Sequence, residues 1–184
     1  MMAGKSILKT IGAKLAFLVN APKAELIRAL LVIPVVGGLV YGFSDNFGLY
    51  LDTAETRCLP ETVYVGYPRS SQLKHGDVVS FIATDTQMFG IYTGKRIAKV
   101  ITGMTGDTIR SDESGVWVNG KQIALRSDVT LAKLQVRSLA PLNINRKLEV
   151  GELFVMGTMP RSFDSRYWGV LHDSDVERLV KPLI

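Results

Sequence analysis

The sequence predicts a mainly β protein, one antiparallel β-domain tethered by a single N-terminal transmembrane helix. Three observations lead there. An uncharged apolar run lies near the N-terminus, basic residues crowd in front of it, and the remainder reads as short β-type segments separated by turn signals. With 184 residues, the chain suits one compact domain plus an anchor and is too short for two full domains.

The apolar run is Ala29-Leu-Leu-Val-Ile-Pro-Val-Val-Gly-Gly-Leu-Val-Tyr-Gly-Phe43, with no charge before Asp45. At about 1.5 Å per residue, it and its flanks reach roughly 25–30 Å, close to the apolar thickness of a bilayer. Pro34 and the Gly37-Gly38 pair suit a membrane helix better than an isolated soluble one. Phe43-Ser-Asp-Asn-Phe47 offers no small-x-small cleavage site, so a removable leader is not expected. A buried core helix is the plainer alternative.

Lys5, Lys9, Lys14, Lys23 and Arg28 precede the run against Glu25 alone, which accounts for most of the net charge of +5. That bias puts the N-terminus in the cytoplasm and everything after Asp45 outside it. Ile7, Leu8, Ile11, Leu15 and Leu18 recur at near-helical spacing among the lysines, the pattern of an amphipathic helix on an anionic leaflet. The basic block is thereby assigned to a lipid bilayer, and no nucleic-acid partner is expected. The expected organisation is a cytoplasmic basic segment over 1–25, an anchor over 26–48 and an outer domain over 49–184.

In the outer part, Val78–Ile82 and Phe89–Tyr92 are rich in β-branched and aromatic residues, and Arg96–Ile101 alternates polar with apolar. Asn119-Gly120 between apolar flanks is a strong hairpin signal within Val116–Ile123. Leu153–Met156 and Val176–Ile184 bring the expected number of strands to about seven or eight. Helical periodicity is weak throughout this part.

A single cysteine excludes an intramolecular disulfide or a multi-cysteine zinc site, and two histidines, His75 and His172, argue against a His-rich metal centre. No P-loop, His-Glu-x-x-His or dinucleotide-binding glycine motif is present. Neither metal nor cofactor is expected.

Three segments carry a family resemblance. Gly151-Glu-Leu-Phe-Val-Met-Gly157 followed by Ser162-Phe-Asp-Ser-Arg-Tyr-Trp-Gly169 resembles the last box of the type I signal peptidases, the S26 peptidases, with Thr158 where the family usually has Asp. Lys99-Val-Ile-Thr-Gly-Met-Thr-Gly-Asp107 resembles the family's lysine box, with Val100 for the usual Arg and Thr105 for the usual Pro. The usual Ser-Met-x-Pro-Thr-Leu box is missing before Gly76-Asp77. Cys58-Leu-Pro-Glu-Thr-Val-Tyr64 is instead similar to the Ser-x-Pro-x-Gly-x-Tyr frame of the conjugative-transfer branch, the TraF-like pilin peptidases, with Thr62 for Gly and Cys58 for the serine.

The resemblance implies a signal-peptidase-like β-domain on the periplasmic side of a bacterial inner membrane, held by one span. It also implies a protease that processes a pilin or other membrane-inserted precursor, alongside conjugation or secretion components. Cys58 takes the nucleophile's position and Lys99 the general base's. Thr56 is the candidate hydroxyl of the oxyanion hole, Ser162 matches the serine that positions the amine, and Asp164 with Arg166 match the pair that braces the site.

The chemistry asks for a neutral amine, whose reference pKa is about 10.4, so the lysine must be desolvated. Lys99 lies among Ile97, Ala98, Val100 and Ile101, and strand alternation puts it on the face of Ile97 and Ile101. A thiol, with a reference pKa of about 8.5, asks less of its base than a hydroxyl. Its acyl-enzyme is a thioester, open to attack by water or by an amine, and some members of the pilin-peptidase branch close their product into a ring. Plainer readings stand beside these: an exposed strand lysine at Lys99, a small hydrophobe at Cys58, a loop threonine at Thr56 and a core residue at Trp168. On them the chain is an inactive scaffold of a conjugation or secretion complex. A housekeeping signal peptidase is disfavoured by the missing serine box.

Overall fold

The structure, a computed structural model, describes residues 23–51, 58–69, 72–84, 90 and 92–183. They fall into two units, one ending at Asp45 and one beginning at Asn46. The amphipathic segment read over 1–25 lies almost wholly outside the described residues, as does Thr56.

Helix α1 runs Lys23–Asn46 with Pro34 inside it. Its side chains Leu30, Ile33 and Leu39 are exposed. Among the described residues no helix is long and apolar enough to cross a membrane, so the span expected over 26–48 finds no support there.

The second unit contains eleven strands among its described residues: β1 (Gly48–Leu51), β2 (Val63–Pro68), β3 (Val78–Ile82), β4 (Arg96–Gly103), β5 (Thr108–Asp112), β6 (Gly115–Val118), β7 (Lys121–Ala124), β8 (Ile144–Lys147), β9 (Glu152–Met156), β10 (Leu171–His172) and β11 (Val176–Pro182). Helices α2 (Asp128–Val136) and α3 (Ser165–Trp168) interrupt them. A seven-stranded sheet has the order β1-β2-β11-β3-β4-β9-β10, and a four-stranded sheet the order β7-β6-β5-β8. All pairings are antiparallel.

The expected strands at Val78–Ile82 and Leu153–Met156 form, and the Asn119-Gly120 turn joins β6 to β7 with both residues at positive φ, 51° and 79°. Two expectations fail. The described residues of the strand expected over Phe89–Tyr92, Gly90 and Tyr92, lie in turns. Ala83 N–H donates to the Lys95 carbonyl at 2.9 Å, just beyond the β3–β4 pair. Helix α2 was not anticipated, because its apolar residues do not gather on one face and only Thr130 and Leu134 are buried.

Strand β9 is the keel of the domain, buried along its whole length. Leu153 and Val155 enter one core with Val79, Phe81, Ile101 and Trp168, while Phe154 and Met156 enter another with Ile109, Val116 and Leu148. The two-residue period of a strand lets one segment serve both cores. Phe81 meets Trp168 edge to face at 6.0 Å.

At the start of β9, the Glu152 carboxylate accepts from Arg146 Nη1 and Nη2 of β8 at 2.6 and 2.8 Å, tying the small sheet to the large one. The Arg146 hydrogen bonds pull the Glu152 carboxyl from 4.5 down to about 2, against the opposing effect of burial. A carboxyl depressed by folding stabilises fully above its unfolded value and loses that contribution as pH falls toward its folded value. The stability advantage of the wild type over Glu152→Gln is therefore expected to shrink between about pH 5 and pH 2 in thermal melts. An unchanged gap across that range would contradict the pairing.

Candidate active site

Lys99 sits in the middle of β4, opposite Val79 of β3, and shares its inward face with Ile101 and Gly103. It is 1% exposed, so the reading of an exposed strand lysine does not hold. An amine so placed needs a polar partner. Its Nζ donates to Ser162 Oγ at 2.9 Å.

Ser162 ends a tight loop that leaves β9 at Gly157 and turns through Thr158, Met159, Pro160 and Arg161, closed by Ser162 N–H on the Met159 carbonyl at 3.0 Å. Gly157 is required by contact. A Cβ there would stand 2.1 Å from Ser162 Oγ and 2.7 Å from the carbonyl oxygen of Cys58. The same Cys58 oxygen accepts from Thr158 N–H at 3.0 Å and Met159 N–H at 3.4 Å. The structure thus gathers Cys58, Gly157, Ser162 and Lys99 into one contiguous cluster.

Cys58 is held from its other side as well. Leu59 is buried with Tyr64 and Val180. The Tyr64 hydroxyl donates to the Glu61 carboxylate and accepts from Glu61 N–H, both at 2.9 Å, which fixes the bend leading into β2. Cys58 itself is half-buried and free of any disulfide.

Asp164 and Arg166 lie behind the loop rather than in the cluster. Asp164 caps α3 by accepting from Arg166 N–H at 3.2 Å, and also accepts from Gly157 N–H at 2.8 Å. Its two carboxylate oxygens take Arg166 Nε and Nη2, each at 2.7 Å. The rest of the guanidinium donates to the carbonyls of Leu125, Met159, Pro160 and Ser162. Burial works against the Arg166 charge, but the Asp164 carboxylate outweighs it and holds the guanidinium above its ordinary value. Trp168 belongs to the core.

Cys58 and Lys99 open on one groove of about 1430 Å³, with α2 lining part of it. Tyr92, which sequence reading took for a strand residue, faces the same groove. Burial pushes its phenol above the ordinary value, with the nearby Cys58 thiol adding to the effect. Its ring stacks on Phe163 at 5.6 Å, and Phe163 stacks on Tyr167 at 5.8 Å. The aromatic residues at 89–92 were the available signal, but they pointed to β structure rather than to a groove wall. Among the described residues no three His, Cys, Asp or Glu side chains come together to hold a metal ion.

The family model for signal peptidases, peptidase S26, matches residues 23–182, and the chain belongs to that family. A crystal structure of a signal peptidase I from Enterococcus faecalis V583 is similar, with 24% identity over 59% of this chain and 97% of that one and a TM-score of 0.37. No curated protein matches the chain.

Removing one member of a buried ion pair leaves the other uncompensated, at about 3–5 kcal/mol. Arg166→Met is expected to lower unfolding stability by that order, read from the urea midpoint, because Asp164 and three loop carbonyls lose their donor together. A loss below about 1 kcal/mol, no more than a surface pair gives, would show that the loop does not depend on the guanidinium.

Proposed function

We propose that this S26 peptidase cleaves a membrane-inserted precursor through a Cys58–Lys99 dyad, and that its substrate is a pilin-type precursor of the conjugative-transfer kind. The observation that carries the proposal is the buried Lys99 amine on Ser162, in one cluster with the Cys58 backbone and opening with Cys58 on a common groove.

The reaction follows from those groups. The Cys58 thiol passes its proton to the neutral Lys99 amine as Sγ bonds to the scissile carbonyl carbon. The Lys99 ammonium then protonates the departing amide nitrogen, the C–N bond breaks, and a thioester remains. Water, or an amine of the same substrate, attacks the thioester and gives its proton to Lys99. The Cys58 sulfur leaves and takes that proton back. The developing oxyanion needs donors; the Cys58 N–H and the Thr56 hydroxyl are the candidates, by resemblance to the family. Ser162 holds the amine in place, and Asp164 with Arg166 holds Ser162.

Processing of the precursor tests the dyad. Cys58→Ala is expected to abolish it, and Lys99→Met to lower kcat/KM by at least about 10²-fold, the ordinary worth of a positioned base. Cys58→Ala with wild-type activity would end the proposal and favour the inactive-scaffold reading. In the same assay, a product mass one water below the linear processed chain marks ring closure, and the linear mass marks hydrolysis.

Membrane association is proposed through α1, whose exposed apolar side chains and flanking Lys23 and Arg28 support a short bilayer-bound helix with its basic end in the cytoplasm and the peptidase unit in the periplasm. A short apolar segment is accommodated by local thinning and snorkelling of its flanking cations. The protein is expected in the membrane pellet after an alkaline carbonate wash; its release into the supernatant would refute the anchor.

A further inference from the structure

The charge of the groove goes beyond what the dyad needs. Among the described residues, six lysines and arginines line it and no aspartate or glutamate does. Two of the six are accounted for: Lys99 by Ser162, and Arg96 by Glu177 at 2.6 Å. The other four, Lys95, Lys133, Arg137 and Arg161, are exposed, and among the described residues none has a carboxylate partner.

They come from three separate parts of the chain. Lys95 stands at the start of β4 with its amine 6.0 Å from the Tyr92 ring centre, Arg161 lies in the loop before Ser162, and Lys133 and Arg137 are one turn apart at the end of α2. Like charges four residues apart repel on a helix. The helix dipole accounts for cations at the end of α2, but not for Lys95 and Arg161 bordering the same space. Arg137 and Cys58 both act electrostatically on the Tyr92 phenol, in opposite senses. Apolar walls concentrate the field of such a rim on whatever enters.

We propose that this rim selects peptides bearing carboxylate side chains next to the scissile bond, with Lys133, Arg137, Lys95 and Arg161 as the specificity-determining residues. The inference rests on the peptidase reading and adds a substrate class to it: an acidic segment beside an apolar one. An anionic lipid headgroup would offer similar chemistry, but the rim lines the groove that Cys58 and Lys99 face, which favours the peptide.

The test is a pair of fluorogenic peptides that keep Ala before the cleavage position and differ only in Glu or Gln at the two positions after it. Wild type is expected to prefer the Glu peptide by about fivefold or more in kcat/KM at low ionic strength, since each exposed pair contributes about two- to fivefold. That preference should shrink at about 0.5 M salt as screening shortens its reach. Lys133→Glu/Arg137→Glu is expected to reverse the preference toward a Lys-bearing peptide, a gain that a misfolded variant cannot produce. Fluorescence anisotropy of both peptides on Cys58→Ala keeps the two ideas apart. A Glu preference in binding with no cleavage by wild type defeats the peptidase reading alone, whereas cleavage of both peptides at equal kcat/KM overturns the acidic-substrate proposal alone. The proposal also falls if the double reversal releases the protein from phosphatidylglycerol vesicles while the Glu-to-Gln ratio stays at its wild-type value.

Discussion

The site depends on one buried ion pair. The loop from Gly157 to Ser162 has no strand or helix to satisfy its inward carbonyls, and such groups are costly when orphaned. Arg166 supplies the donors: Met159, Pro160 and Ser162 all present their oxygens to its guanidinium, while Asp164 neutralises it and takes the Gly157 N–H. A planar fork with five donors can serve several acceptors at once, which a lysine's point charge does not match. The positions of Ser162 Oγ and of the two amides on the Cys58 carbonyl follow from that arrangement, and with them the setting of the Lys99 amine.

The large sheet sets the other half. Lys99 is inward-facing because strand alternation puts it in step with Ile101, and because β3 and β9 cover β4 from both sides. β9 then delivers the chain directly into the Gly157 loop while packing into two cores. The same strand that anchors the fold therefore leads into the loop that carries Ser162. A small shift at Gly157 is felt at both Ser162 and Cys58, because both pack directly against it.

Much of this was legible in the sequence because it is local. Alternation marked β4 and the face of Lys99, Asn119-Gly120 marked a hairpin, and the dense run from Ser162 to Gly169 carried the family. What was not legible depends on distant segments meeting. Gly157 matters only because Cys58, roughly a hundred residues earlier, comes to lie against it. Tyr92 looks like a strand residue, yet it lies in a turn ahead of β4. Helix α2 has no apolar stripe to announce it, since its exposed face lines a groove rather than a core.

Two departures from the family pattern meet at a single atom. Cys58 stands where the serine is usual and Thr158 where an aspartate is usual, and the Thr158 N–H and hydroxyl both lie within reach of the Cys58 carbonyl oxygen, at 3.0 and 3.4 Å. An ionised aspartate side chain has only acceptors, so facing that carbonyl it would repel rather than bind. Threonine contributes a donor there and carries no charge. The neutral residue at 158 therefore fits the Cys58 carbonyl where a carboxylate would not, and it ties the loop after β9 to the segment that begins at Cys58.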